Sequence, residues 1–143
     1  MIEDERKKVN LEKERFNSSE EALSAERQGQ YPFNFFNYNP LHVINDYLTH
    51  ITQNTANYNP IPGLIVRQQS IGTTHEGRSI NMITIALNDR KKKAGIWIDC
   101  GIHAREWISP AFCMYAIDKL VRQPEELLRM YDFNICLLYT SPS

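Results

Sequence analysis

The chain has 143 residues, with 16 Lys and Arg against 17 Asp and Glu and a formal net charge of -1 at pH 7. That length suits one ordinary domain of about 100–200 residues. The near-balanced charge gives no electrostatic ground for nucleic-acid binding, and no apolar run approaches the roughly 18 residues of a membrane span, so neither partner is expected.

From Met1 to Arg27 the chain is dense in charge of mixed sign, beginning with Glu3, Asp4, Glu5, Arg6, Lys7 and Lys8. Lys and Glu are good helix formers, and Glu3/Lys7 and Asp4/Lys8 set an acid four residues before a base, so an exposed helix is predicted. Asn17-Ser18-Ser19 is a glycosylation sequon, with meaning only in a secreted chain. From Pro40 to Thr52, Leu41, Ile44, Leu48 and Ile51 recur at helical spacing and make one apolar face. Tyr58 to Gly63 is rich in turn formers. Leu64 to Ser70 and Ile80 to Leu87 alternate and carry β-branched residues, as strands do. Asn88 to Lys93 is predicted to be a charged hairpin or loop, with Lys91, Lys92 and Lys93 serving solubility.

Ile96, Trp97 and Ile98 form a short apolar run between Gly95 and Gly101, which reads as a buried strand. Beyond it, Ser109 is positioned to cap a helix, Pro110 suits the first helical position, and Phe112, Tyr115, Ala116 and Leu120 recur at helical spacing. Trp107, Ile108 and Phe112 either line a site or pack in the core, and core packing is the expectation. The elements alternate, so the fold class is α/β.

Between that strand and that helix lie His103 and Glu106, three residues apart. A catalytic Zn²⁺ site takes nitrogen and carboxylate oxygen at about 2.0–2.2 Å, with three protein ligands and one open position. In open α/β sheets such sites collect outside the carboxyl ends of strands, which is where these two residues emerge. Spacing alone leaves a metal pair and a hydrogen-bonded pair both open. The helical motif with two His four residues apart does not apply, because position 107 is Trp. His42, His50 and His75 show no ligand spacing with each other and are expected to be solvated or hydrogen-bonded.

The run from Gly95 to Pro110 closely resembles the first zinc signature of the metallocarboxypeptidases of the pancreatic carboxypeptidase A/B family, carried by His103-Ala104-Arg105-Glu106-Trp107. Ile71 to Ile80 resembles that family's turn and following strand, and Tyr38-Asn39-Pro40-Leu41 with Ile44 resembles its first catalytic-domain helix. The resemblance implies a partial carboxypeptidase-like fold, a mixed sheet flanked by helices and preceded by the charged N-terminal helix. It implies one Zn²⁺ ion held by His103 and Glu106, with Arg105 lining a cleft for the C-terminus of a peptide or protein substrate. It also implies that the third ligand and the general base lie downstream, so that this chain is an inactive fragment. By the same likeness, residues 1–27 are the end of an activation segment, residues 28–135 the N-terminal part of the catalytic domain, and residues 136–143, which depart from the family pattern, a non-native tail. Arg27, with Arg15 as a rival, is then a cleavage point for an activating trypsin-like protease, and the protein is secreted. The contrasting reading is a non-catalytic peptide- or partner-binding protein on the same scaffold. Cys100 and Cys113 read as small buried hydrophobes, and three cysteines leave one unpaired.

Overall fold

The structure is a computed structural model in which residues 3–4, 6–8, 10–11 and 20–138 are described. Residues 3–4, 6–8 and 10–11 are helical and exposed, as the charge pattern predicts, and α1 spans Glu20–Arg27. Arg15 and the sequon at Asn17 lie outside the described residues.

Two residues beyond α1 the chain turns at Gly29, whose φ of 66° is the left-handed conformation that glycine adopts without strain. The N–H groups of Gly29 and Gln30 donate to the carbonyls of Glu26 and Ala25 at 3.0 and 2.8 Å. The following residues are tied to a distant part of the chain. Asn57 Nδ2 donates to the Gly29 carbonyl at 2.9 Å, Gln30 Nε2 to the Asn57 carbonyl at 2.7 Å, and the Tyr31 N–H to the Tyr58 hydroxyl at 2.8 Å.

Helix α2 (Leu41–Gln53) buries Val43, Ile44, Tyr47, Leu48 and Ile51, the face expected from the spacing, and the short α3 (Thr55–Tyr58) follows. Strands β1 (Leu64–Thr73) and β2 (Ser79–Leu87) form an antiparallel hairpin with a register shift between Ser70 and Gly72. Strand β3 (Ala94–Cys100), helix α4 (Ile108–Arg122) and strand β4 (Tyr131–Leu137) complete the order. The sheet runs β1-β2-β4-β3, with β2 antiparallel and β3 parallel to β4. The fold is therefore α/β with an open mixed sheet, and β3-α4-β4 is a parallel crossover unit.

One set of alternating positions faces the helices: Ile83 and Ile85 on β2, Phe133, Ile135 and Leu137 on β4, and Ile96, Ile98 and Cys100 on β3 join α2 and α4 in one apolar cluster. The opposite positions carry Met82, Thr84, Asn134 and Cys136, with Thr84 Oγ1 donating to Asn134 Oδ1 at 2.9 Å. Across the helix layer, the buried Tyr47 hydroxyl donates to Asp118 Oδ1 at 3.0 Å, and Arg122 Nε donates to the same oxygen at 2.8 Å. Burial first, then the Asp118 carboxylate, hold the Tyr47 hydroxyl well above its ordinary pKa.

Several expectations are corrected by long-range packing. Strand β3 is not buried on both faces: Ile96 and Ile98 are partly covered on the side of α2 and α4, but Trp97 points to the opposite face and is 55% exposed. Of the two forms expected for residues 88–93, the loop holds and the hairpin does not, since β4 lies between β2 and β3. Lys93 does not serve solubility. Its side chain is 3% exposed, and Nζ donates to the carbonyls of Leu87 and Leu128 at 2.9 and 2.7 Å beside Asp89 and Asp132. On α4 the buried face is Cys113, Met114, Ile117, Leu120 and Val121, so Phe112 and Tyr115 point outward. The expectation of a tail from residue 136 is not tested by the fold: Cys136 and Leu137 are the last residues of β4, and residues 139–143 lie outside those described.

Candidate metal centre

The parallel strands β3 and β4 end together, with Cys100 opposite Leu137, and the Leu138 N–H donates to the Cys100 carbonyl at 2.7 Å. The chain then turns at Gly101, whose φ is 80°. A Cβ there would collide with the Leu138 carbonyl oxygen, so close approach as well as dihedral angle requires glycine. The site emerges at the carboxyl end of the crossover unit, as expected from strand direction.

The turn that follows is short and closed by its own backbone. The Glu106 N–H donates to the His103 carbonyl at 3.2 Å, and the Ser109 N–H to the Glu106 carbonyl at 3.0 Å. This brings the two side chains together: His103 Nδ1 lies 3.0 Å from Glu106 Oε2, with the side chains 69% and 60% exposed. In that contact the ring N–H donates and the carboxylate accepts. Arg105 is exposed beside the pair, and no hydrogen bond or ion pair engages its guanidinium among the described residues. The structure thus brings His103 and Glu106 together and leaves Arg105 free next to them. Among the described residues, no group of three or more His, Cys, Asp and Glu side chains is placed to hold a metal ion.

The helix start differs from the expected cap. Trp107 occupies the N-cap position of α4 with φ -64° and ψ -22° and makes no side-chain cap hydrogen bond. Pro110 is the third helical residue, still inside the first turn where its missing N–H leaves no bond unmade. Ser109 does not cap. Its Oγ accepts from the Gly101 N–H at 3.1 Å, which joins the two ends of the turn. Trp107, Ile108 and Phe112 are at the surface rather than in the core, because α4 buries the face one residue further on. The Tyr38 ring packs edge-on against Trp107 at 5.7 Å between centroids and braces the residue next to Glu106.

Cys100 and Cys113 are buried, as expected, but they form a disulfide, with Cα atoms 6.4 Å apart and 13 residues of separation. Cys136 is a buried free thiol, raised above its usual pKa by burial and then by the Asp99 carboxylate. The disulfide is the support that sequence reasoning missed, since a cysteine spacing does not specify its pairing. Gly101 and Ser109 were singled out, but as a strand boundary and a helix cap rather than as the two ends that one hydrogen bond joins.

The zinc carboxypeptidase family profile matches residues 48–139, a span that includes all three site residues. Among curated proteins, the chain is 39% identical over 95 residues to carboxypeptidase A6 of Mus musculus, covering 66% of this chain and 20% of that protein. It is 42% identical over 90 residues to carboxypeptidase B of Homo sapiens, covering 59% of this chain and 21% of that protein. The chain therefore spans about a fifth of the length of these curated relatives. Among solved structures, it resembles bovine thrombin-activatable fibrinolysis inhibitor in complex with tick carboxypeptidase inhibitor, with TM-score 0.58, 32% identity, and coverage of 71% of this chain and 30% of that one. A crystal structure of thrombin-activatable fibrinolysis inhibitor matches with TM-score 0.63 and 29% identity over 85% of this chain and 29% of the other.

Proposed function

Because the chain belongs to the zinc carboxypeptidase family, we propose that it serves zinc-dependent removal of C-terminal residues from peptides and proteins, with His103 and Glu106 as two ligands of one Zn²⁺ ion and Arg105 as the substrate-facing cation. The observation that carries this reading is the convergence of one imidazole nitrogen and one carboxylate oxygen, 3.0 Å apart and open to solvent, at the carboxyl end of a parallel strand pair.

The donor set fits the ion. With bonds of about 2.0–2.2 Å, two donors on a tetrahedral Zn²⁺ stand about 3.3–3.6 Å apart, so the observed pair needs to open by only a few tenths of an ångström. His103 offers Nδ1 as a neutral donor once its ring proton is on Nε2, and Glu106 offers an oxygen. When bound, zinc would polarise the scissile carbonyl and lower the pKa of a bound water toward about 7. Arg105 holds a permanently charged, planar guanidinium with its donors unused, suited to a peptide carbonyl or a terminal carboxylate and unable to act as a base. Among the described residues, two donors leave the coordination incomplete and no general base stands beside them. The 143-residue chain alone is therefore expected to turn over no peptide.

The disulfide supports a secreted protein, since such bonds persist in oxidising compartments. In the same reading residues 1–27 close an activation segment, the catalytic part begins at 28, and a trypsin-like protease cuts after the exposed Arg27 at the end of α1.

The hydrogen bond between the two side chains favours a second reading, a surface ion pair contributing about 0–1 kcal/mol and no chemistry. The two readings exclude each other at His103 Nδ1, which either donates a proton to Glu106 or donates its lone pair to a metal. Zinc titration followed by the His103 ring resonances separates them. Saturable binding that moves the ring proton to Nε2 and disappears in His103→Ala supports the metal site. Equal zinc binding by the parent chain and His103→Ala removes it.

A further inference from the structure

We propose that the Cys100–Cys113 disulfide is a positioning device for the zinc ligands, a clasp that keeps the turn carrying His103 and Glu106 closed on its base; this rests on the zinc reading above. Cys100 is the last residue of β3 and Cys113 faces the core from α4, so the bond joins the two elements from which the turn hangs. The ring it closes, 13 residues in separation, contains His103, Arg105 and Glu106 together. Little of the chain inside the ring is buried. Residues 102–108 are exposed, backbone hydrogen bonds within the turn close it, the Tyr38 ring braces Trp107, and the Gly101 N–H to Ser109 Oγ bond links its ends.

Without the covalent bond, α4 still packs on the sheet through Met114 and Ile117, but the end of β3 and the first turn of the helix are no longer fixed to each other, and the two donors lose their common reference. The tolerance is small, because the pair stands at 3.0 Å and the ion requires only slightly more. An ion binding to the untied turn must order it, and refixing the backbone of even one residue lowers affinity roughly tenfold. Both cysteines are buried against the core cluster, so apolar replacements can fill their places. A bond serving stability alone would leave zinc affinity unchanged wherever the chain stays folded.

The test titrates Zn²⁺ alone into the oxidised chain, into Cys100→Ala/Cys113→Val and Cys100→Val/Cys113→Ala, and into Tyr47→Phe and His103→Ala, reading calorimetric affinity and the His103 ring resonances. Two apolar pairings are used because one of them can fail to fold. Tyr47→Phe lowers stability from a site in the helix layer without touching the turn. The expected result is zinc affinity roughly tenfold weaker in the folded disulfide-free variants, parental affinity in Tyr47→Phe, and none in His103→Ala. Disulfide-free variants that bind as tightly as the parent, while His103→Ala does not bind, overturn the clasp and leave the metal site standing. Parental affinity in His103→Ala overturns the metal site itself.

Discussion

Gly101→Ala tests whether the end of β3 and the start of the turn are held as tightly as the geometry says. Two costs combine at this position. The first is conformational: φ is 80°, and a left-handed backbone costs an L-residue with a Cβ roughly 1–2 kcal/mol. The second is contact. The new Cβ meets the Leu138 carbonyl oxygen, which belongs to backbone and can only be relieved by moving the end of β4. That movement breaks the Leu138 N–H to Cys100 carbonyl bond of 2.7 Å, worth about 1 kcal/mol. Gly77→Ala is the matched control, because Gly77 has φ 79° in the β1–β2 turn and nothing within 4 Å of its added Cβ. The entropy that alanine removes from the unfolded chain is common to both and cancels. Urea unfolding should therefore show Gly101→Ala less stable than Gly77→Ala by about 1 kcal/mol or more at equal m-value, with faster hydrogen exchange at the Leu138 amide. Equal losses at the two glycines would mean that β4 gives way freely and that the base of the turn is not rigid.

Tyr47→Phe removes the donor to Asp118 and should lower stability by about 1–2 kcal/mol in urea at neutral pH. The folded hydroxyl holds its proton well above the usual value of about 10 at which the unfolded tyrosine ionises, so wild-type stability is fully present below pH 10 and falls as pH rises beyond it. The variant should lose that part of the alkaline slope, and parallel profiles from pH 8 to 11 would contradict the burial of the hydroxyl beside the Asp118 carboxylate. Asn57→Ala releases the Gly29 carbonyl at the end of α1, and at about 1 kcal/mol for the lost bond, tryptic cleavage after Arg27 should quicken about fivefold relative to cleavage after Arg90 in the β2–β3 loop. An unchanged ratio by mass spectrometry would show that α1 does not have to open for cleavage.

What the sequence revealed and what it concealed divide by the range of the interactions. The α2 face and the strands β1 and β2 were legible because Ile44, Leu48 and Ile51 repeat at helical spacing and Leu64 to Ser70 and Ile80 to Leu87 alternate within a few residues. The candidate ligands were legible for the same reason: His103 and Glu106 sit in one turn, and three residues of spacing bring them together without help from the rest of the fold. The face of α4 was misjudged by one position, because Phe112 and Tyr115 are as apolar as the buried Cys113 and Met114 and only the position of the sheet decides between them. Trp97 is exposed because it lies on the sheet face away from the helices, and Lys93 is buried because β4 is inserted between β2 and β3, facts that no window along the chain reports. The disulfide is a pairing of two elements, and it was invisible until those elements had neighbours.

The distribution of bonds around the turn follows from what a metal site asks of a protein. Strand hydrogen bonds run to Cys100 and Leu138, the disulfide and the Gly101 to Ser109 bond hold the base, and helical packing resumes at Cys113. Between them, residues 102–108 contribute exposed side chains and a few local hydrogen bonds, so replacing His103, Arg105 or Glu106 removes little packing. Stability and chemistry are therefore carried by adjacent but different residues. Gly101, with no side chain, joins them: its N–H is spent on Ser109, and its conformation sends the chain out of the sheet. A ligand pair built into the strand itself would have exchanged exposure for rigidity and left no open face for a substrate. Placed one turn beyond it, the pair keeps both, provided the base does not move.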